Sequence, residues 1–398
     1  MKFLKYFYHL TLAFLGSVYY RNPSKKLFVI GVTGTKGKTS SAHLIQYILN
    51  SSGKKCALLS SVSEVYGEKT LQNTTGNTMP GRFFIQRFLK RAVNKNCKYA
   101  VIEVTSQGVL QNRHKFIKWD GACFTNLHRE HLEAHGGFEK YREAKLKFFR
   151  YVKNNNKEAL FFVNKDDENY EYFKNAAGNN LTLYSGFETY LESSMLPGEI
   201  NKPNIALAEI VCESLGVEKE MVQKLITHFP GVKGRMEIIQ KEPFAVVIDY
   251  AYTPESVKLA YEELRKLLRG SHARLITVFG SAGGGRDKWK RPALGEIASN
   301  YANVIILTSE EPYDERPEDI IKDIKEGIKE KDGLTIYKIT DRKNAIQKAI
   351  EEAQEGDVVA LMGKGAEPYI HLENKKIPWN EKKIVEEILK EIRLKEEE

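Results

Sequence analysis

Residues Gly31-Val-Thr-Gly34-Thr-Lys-Gly37-Lys38-Thr39-Ser40 constrain this chain more than any other stretch. An apolar run, Leu27 to Ile30, leads into them, and a helical pattern, Ala42 to Leu49, leads out. Strand, glycine-rich loop and helix start are what a phosphate-cradling loop requires. Glycines let backbone N–H groups approach phosphate oxygens, and the helix N-terminus adds partial positive charge. In such a loop Gly34, Thr35, Gly37, Thr39 and Ser40 line the phosphates. Lys38 reaches the terminal phosphates, and the Thr39 hydroxyl sits on a magnesium ion. Val32 stands where the strict pattern has its first glycine, so a glycine-rich turn before a helix is the competing reading. The loop alone implies a nucleotide and leaves the reaction open.

With 398 residues the chain is too long for one ordinary core, and two domains are expected. The excess of 61 Lys and Arg over 52 Asp and Glu suits an anionic partner: a nucleotide, nucleic acid or a membrane surface. The basic residues are spread along the chain without long blocks, which disfavours nucleic acid. Cys56, Cys97, Cys123 and Cys212 lie far apart. With no C-x-x-C pair, a zinc ribbon is excluded and a disulfide framework is not expected, which fits a reducing cytoplasm.

From Phe3 to Tyr20 the chain is nearly all apolar, interrupted by Lys5 and His9. Such a stretch is at the short limit for a membrane span. No small-x-small cleavage site follows, only Tyr19 to Pro23, which argues against a secretory signal. Phe3, Phe7, Leu10, Phe14 and Val18 recur at helical spacing, and Lys2, Arg21, Lys25 and Lys26 flank them. Two readings stand side by side: a helix lying in a membrane interface, or a helix packed on the protein's own core.

Apolar β-type runs alternate with helical patterns, which signals mostly parallel sheets covered by helices. Strands are expected at Leu27–Val32, Cys56–Ser60, Tyr99–Val104, Ala122–Thr125 and Leu160–Val163. A second series is expected at Ala245–Asp249, Leu275–Phe279, Val304–Thr308, Leu334–Tyr337 and Val358–Met362. Pro230, Gly231 and Gly234 interrupt the pattern between the series. The expected division is 1–26, 27–233 and 234–398. Glu381 to Glu398 reads as a charged helix with a solvated face.

Several polar blocks carry chemistry. Glu103 ends an apolar run, where a carboxylate facing the phosphate loop is well placed to hold magnesium; a surface position at a strand end is the plainer reading. Thr105, Ser106, Gln111 and Arg113 follow it. Glu130, His131, Glu133 and His135 look like a metal or acid–base site, and taken alone would fit zinc. Asn73-Thr74-Thr75-Gly76 is a polar turn, and Asn201-Lys-Pro-Asn204 a helix cap. Lys145, on the amphipathic segment Tyr141–Phe149, reads as a solvent-facing lysine.

Taken in order, from about Leu27 to Asn380, these blocks resemble the Mur ligase family, ATP-dependent amide-forming enzymes of cell-wall precursor synthesis. The nearest type is the UDP-N-acetylmuramoyl-tripeptide synthetase. The resemblance implies an α/β fold: a P-loop ATPase central domain with a mostly parallel sheet, then a Rossmann-like α/β C-terminal domain. It implies ATP and Mg2+, the metal being held by Thr39, Glu103, His131 and a carbamylated Lys145 rather than zinc by the histidine cluster. Asn204 would lie near the adenine, Arg235 on the terminal phosphate and Asp249 at the ribose or hinge. Thr74, Thr75, Thr105, Gln111 and Arg113 would contact the muramoyl-peptide acceptor. Arg286 would grip the carboxylate of the incoming amino acid, a task for which a guanidinium is suited.

Some positions depart from the family pattern. Gln107 replaces a histidine, Glu130 and Glu133 replace aspartates, Tyr252 and Ala366 replace histidines, and Gly285 replaces an aspartate. At the amino-acid selection segment Thr308–Glu315, Tyr313 stands where diaminopimelate-adding members carry arginine. Glu310 and Glu311 there would favour a basic amino acid such as lysine. Gly363 and Glu367 fall in the block that meets the substrate amine.

The implied reaction phosphorylates a carboxylate to an acyl phosphate, which an amine then attacks. The family's N-terminal UDP-binding domain has no counterpart expected in the residues before the first strand, so the expected acceptor is either a UDP-muramoyl peptide bound by the two remaining domains or a different one, such as a lipid-linked or partly assembled precursor. A cytoplasmic monomer is expected, touching the inner membrane face where the N-terminal helix is the interfacial one of the two readings. Two other readings are a folylpolyglutamate synthase-like ligase and a non-catalytic, membrane-docked nucleotide-binding module.

Overall fold

A computed structural model describes residues 2–130, 135–189, 196, 198–285 and 287–397. The chain forms two compact units, Met1–Pro230 and Gly231–Glu398. In the first, the strands are β1 (Phe28–Thr33), β2 (Cys56–Leu59), β3 (Ser63–Tyr66), β4 (Lys69–Gln72), β5 (Tyr99–Glu103), β6 (Gly121–Phe124), β7 (Leu160–Asn164) and β8 (Asn180–Tyr184). They form one sheet in the order β4-β3-β2-β5-β1-β6-β7-β8. It is parallel from β2 to β8, while β3 and β4 add antiparallel to one edge.

The helices of this unit are α1 (Lys2–Tyr19), α2 (Lys38–Ser51), α3 (Arg82–Asn94), α4 (Ser106–Leu110), α5 (Phe138–Asn155), α6 (Tyr170–Ala176), α7 (Lys202–Ser214) and α8 (Lys219–Thr227). Strand β1 is central because its residues Val29 to Thr33 are buried, the pattern of a strand covered by helices on both faces. A core of β1, β5 and β6 side chains packs on Phe88 and Leu89 of α3 and on Phe148 and Phe149 of α5.

The second unit orders its strands β13-β12-β11-β14-β10-β9. These are β9 (Glu237–Gln240), β10 (Ala245–Asp249), β11 (Leu275–Phe279), β12 (Val304–Leu307), β13 (Thr335–Lys338) and β14 (Val358–Met362). All neighbours are parallel except β9, which pairs antiparallel with β10. Helices α9 (Pro254–Arg265), α10 (Lys290–Tyr301), α11 (Pro317–Lys325), α12 (Arg342–Glu352) and α13 (Glu381–Glu397) cover it. Separate apolar clusters fill its two faces. A small hairpin, β15 (Tyr369–His371) and β16 (Lys376–Pro378), follows β14. The α/β class with mostly parallel sheets is as the sequence implies.

Three features differ from the sequence reading. Strands β3, β4, β8, β9 and the β15–β16 hairpin were not expected, because they are short and several are polar; β4 is exposed along its whole length. Helix α13 is not simply a solvated face. Its Val385 and Ile388 are buried in a core cluster, and Glu381 is buried against Arg342. Helix α1 packs on α3, yet by a face of small residues: Ala13, Gly16 and Ser17 are buried, while Phe7, Phe14, Leu15 and Val18 stay exposed.

Candidate active site

The loop after β1 leads directly into α2. Gly37 caps that helix at a φ of 77°, and a Cβ there would overlap the Asn204 carboxamide oxygen. Gly34, at a φ of 151°, leaves equally little room beside the Thr125 hydroxyl. Only glycine meets both demands at both places. Thr39 and Ser40 open α2 and are buried. The Lys38 ammonium donates to the carbonyls of Gly34 (3.0 Å) and Thr35 (2.8 Å), folding back over the loop.

The two strands flanking β1 deliver the loop's neighbours. Glu103, at the end of β5, pairs with Val32 of β1 and is 1 % exposed. Its carboxylate accepts from the Thr39 hydroxyl at 3.1 Å and from the Ser61 N–H at 3.0 Å. The surface reading of Glu103 is therefore wrong: the side chain is turned into the loop. From the other side, just past β6, Asn126 accepts from the Thr35 N–H (2.9 Å) through its carbonyl and from the Lys36 N–H (2.8 Å) through its side chain. Asn126 and Ser61 were not singled out from the sequence. Asn126 follows an apolar strand adjacent to β1, and that position is the signal that finds it.

Lys145 overturns its plain reading as a solvent lysine. It lies on the inward face of α5 with Tyr141, Ala144, Phe148, Phe149 and Val152, and is 2 % exposed. Its Nζ donates to the Gly34 carbonyl at 2.6 Å and stands 4.7 Å from the Tyr141 ring centre. Burial pulls its ammonium well below the usual lysine range; Lys38 adds to this and Glu130 opposes it. The Tyr141 hydroxyl in turn meets the Thr35 hydroxyl at 3.1 Å. His131 and Glu133 lie outside the described residues. Glu130 is buried, 4.0 Å from the Lys36 ammonium, and His135 bonds the Ser106 hydroxyl at 3.1 Å. Among the described residues no three His, Cys, Asp or Glu side chains come together as a metal-holding group.

Thr39 and Glu103 offer oxygen donors, which suit a hard cation such as magnesium rather than zinc. Asn204 braces the loop from behind, accepting from the Ser41 hydroxyl (3.1 Å) and donating to Asn201 (3.0 Å). Thr105 caps α4 by accepting from the Gly108 N–H. Arg113 donates to the Gln111 side chain at 2.8 Å and to the Met79 carbonyl. Thr74 is exposed, whereas the Thr75 hydroxyl donates to Asn73 at 2.6 Å.

In the second unit, the Arg235 guanidinium lies 4.3 Å from the Tyr250 ring centre. Asp249 accepts from the Met236 N–H (2.7 Å) and the Ala251 N–H (2.8 Å), pinning the backbone beside Arg235; burial pushes its carboxyl up. Glu367 accepts from the Tyr250 hydroxyl and from the Lys364 ammonium, each at 2.8 Å. Lys364 is fully buried and also donates to Glu311 at 2.9 Å. His371 (2.8 Å) and the Tyr313 hydroxyl (3.0 Å) bond the same Glu311 carboxylate.

Burial alone would raise the Glu311 carboxyl, but Lys364 and His371 hold it below the usual range. Its charge is thus largely met within the unit. Glu310, by contrast, is pushed up by burial, against Lys290, Arg342 and Lys364, and packs so tightly on Gly363 that a Cβ there would overlap its carboxylate. Tyr313 stacks on the His371 ring, centroids 5.4 Å apart. Arg286 lies outside the described residues. Lys364, Tyr250 and His371 were missed by sequence reading. For Lys364 the flanking Gly363 and Gly365 were the available sign.

Two family descriptions match the chain: the Mur ligase middle domain over residues 32–210, and the glutamate ligase domain of Mur ligases over residues 234–365. A UDP-N-acetylmuramoyl-L-alanyl-D-glutamate–2,6-diaminopimelate ligase of Aquifex aeolicus is 36 % identical over 390 residues, covering 93 % of this chain and 79 % of that protein. The enzyme of the same name from Clostridium botulinum is 35 % identical over 411 residues, covering 96 % and 82 %. A solved structure of a ligase so named superposes with a TM-score of 0.61 at 28 % identity, covering 92 % of this chain and 79 % of that one. Escherichia coli FolC in complex with DHPP and ADP shares the fold, at a TM-score of 0.67 and 16 % identity over 98 % and 93 %. With that identity along nearly its whole length, the chain belongs to the Mur ligase family of ATP-dependent amide-bond-forming ligases.

Proposed function

We propose that this ligase joins an amino acid to a carboxylate of a muramoyl-peptide precursor. The γ-phosphoryl group of ATP passes to that carboxylate, giving an acyl phosphate and ADP. The amine then attacks the acyl carbon, and phosphate leaves. The observation that carries the reading is the Thr39–Glu103 contact of 3.1 Å at the mouth of a glycine-lined loop. Beside it lies Lys145, a buried lysine whose ammonium burial pulls well below the usual lysine range. A neutral amine is the form that takes up carbon dioxide, and the resulting carbamate is an anion. Thr39, Glu103, His131 and carbamylated Lys145 would hold magnesium, which supplies positive charge to oppose the repulsion of ATP and carboxylate.

Lys38 and Arg235 would neutralise phosphate charge, while Thr74, Thr75, Thr105, Gln111 and Arg113 would orient the acceptor. Arg286, Glu310, Glu311, Tyr313, Gly363 and Glu367 would receive the amino acid. Diaminopimelate is the substrate named for the relatives. The acceptor reading draws on those names; likeness to FolC is of fold alone and gives folate no comparable support. We place the enzyme in the cytoplasm as a monomer, in peripheral contact with the membrane through α1. No described helix is long and apolar enough to cross a bilayer.

The test is amino-acid-dependent phosphate release with a muramoyl dipeptide, run against a panel including lysine, diaminopimelate and glutamate. Lys38→Ala is expected to lower the rate about a hundredfold or more, the scale of losing one preorganised electrostatic donor. Near-normal turnover in that variant removes the phosphate-loop assignment. Turnover only with glutamate and a folate removes the muramoyl reading.

A further inference from the structure

We infer that α1 and the start of α3 form a docking face for an anionic phospholipid bilayer, and that this face holds the Gln111–Arg113 loop at the membrane surface. The second half rests on the acceptor role proposed for that loop; the first half does not. Helix α1 reverses the usual pattern of a helix on a globular protein. Its inward side is small: Ala13 and Ser17 are each 2 % exposed, and a Cβ on Gly16 would lie 3.5 Å from Phe83. Its outward side carries Phe7, Tyr8, Phe14, Leu15, Val18 and Tyr19, exposed by between 48 % and 73 %. Phe83 and Leu110, also exposed, add to the apolar surface of the neighbouring helices. A face this large and aromatic marks an interaction surface.

Charge selects what covers it. No Asp or Glu occurs before Glu64, and none between Lys69 and Ile102. The segment carrying α1 and the segment carrying α3 are therefore basic without internal neutralisation. Arg21, Lys25 and Lys26 are exposed just past α1, and Arg87 and Arg91 on α3. Two copies of this face would oppose one basic surface to another, which disfavours self-association. An anionic headgroup layer meets both demands: it attracts the cations, and its acyl boundary accepts the rings. The helix is also tied to the loop behind it. The Asn112 carboxamide donates to the Tyr6 carbonyl at 3.4 Å, and Arg82 bonds both His9 and the Gln111 carbonyl. An acceptor carboxylate carried on a lipid anchor would reach this loop without leaving the bilayer surface.

Co-sedimentation of the full chain with vesicles tests the face. The protein is expected to pellet with mixed phosphatidylglycerol and phosphatidylcholine, and to stay in the supernatant with phosphatidylcholine alone. Replacing Arg21, Lys25 and Lys26 together by Gln is expected to weaken binding by roughly a hundredfold, from about one kilocalorie per mole for each cation near an anionic surface. Phe14→Ser with Val18→Ser is expected to release the protein while its thermal midpoint stays near that of the parent. The charge variant decides if the apolar variant fails to fold. Lys38→Ala is expected to bind vesicles unchanged, so loss of the ligase reading leaves this one standing.

Equal binding to both vesicle types overturns the proposal. So does no binding to either, or a stable dimer in light scattering that vesicles do not dissociate. For the second half, Leu110→Trp is expected to gain fluorescence that brominated phosphatidylglycerol quenches. Unquenched emission from that tryptophan in vesicle-bound protein shows that the loop is not held at the surface.

Discussion

Burial disfavours the charged form of a basic side chain, and two residues of the first unit show it. Lys145 shows why residue-level reading went astray: composition makes a lysine on an amphipathic helix a surface residue, while the turn of α5 that buries Phe148 and Phe149 also buries Lys145. Its place was legible through family order alone. His114 is the second case. It sits among Phe148 and Tyr151, its Nδ1 has no hydrogen-bond partner, and burial lowers its pKa from 6.5 to about 3. The folded state keeps His114 neutral, whereas the unfolded chain takes up a proton below pH 6.5. Its contribution is therefore whole above pH 6.5 and is lost as pH falls towards 3. At pH 5 the loss is on the order of 2 kcal/mol, at 1.36 kcal/mol per pH unit. Urea denaturation of His114→Phe from pH 7 to pH 5 is expected to show a shallower decline than the parent. Parallel declines would mean that this histidine titrates alike in both states.

At the scale of elements, the long apolar strands were legible because burial on both faces demands continuous apolar runs, as in Ala245–Asp249 and Val358–Met362. Edge strands escaped for the converse reason. β4 needs only backbone pairing with β3, so its Lys69, Thr70 and Gln72 carry no core signal. Helix α13 escaped because charge dominates its composition, although Val385, Ile388 and the partly buried Ile392 recur at helical spacing. Its first residue matters most. Glu381 accepts four hydrogen bonds from three N–H groups, Arg342 Nε (3.2 and 3.1 Å), Arg342 Nη2 (2.5 Å) and Trp379 Nε1 (2.6 Å), with both charged side chains almost wholly buried. Breaking such a pair leaves one charge stranded. Glu381→Leu is expected to cost about 3 to 5 kcal/mol in urea denaturation. Arg342→Met added to it is expected to return most of that loss, since a matched apolar pair carries no stranded charge. Additive losses in the double variant would show that the two side chains stabilise the fold independently of each other.

For the whole molecule, the division of labour follows the division of cores. The first unit carries the phosphate loop, Glu103 and Lys145 around β1. The second carries Glu367, Lys364, Glu311 and Tyr250 around β10, β12 and β14, linked by hydrogen bonds inside that unit, with Arg235 against the Tyr250 ring. Each unit also fills its own core: the apolar clusters on the two faces of the second sheet draw only on residues from Met236 onward. A piece of that size with both sheet faces covered meets the requirements for independent folding. Residues 231–398 expressed alone are expected to unfold in one cooperative transition, with dispersed amide signals before it. Residues 1–230 alone are expected to bind ADP, seen as a rise in thermal midpoint with nucleotide concentration, yet to release no ADP in response to an amino acid. The reason is chemical. Phosphate-loop groups can hold a nucleotide by themselves, whereas the residues proposed to receive the amino acid belong to the other unit. A broad, non-cooperative melt of 231–398 would show that its core is completed from outside. Amino-acid-dependent turnover by 1–230 alone would show that the second unit's Glu367 and Lys364 serve structure rather than the reaction.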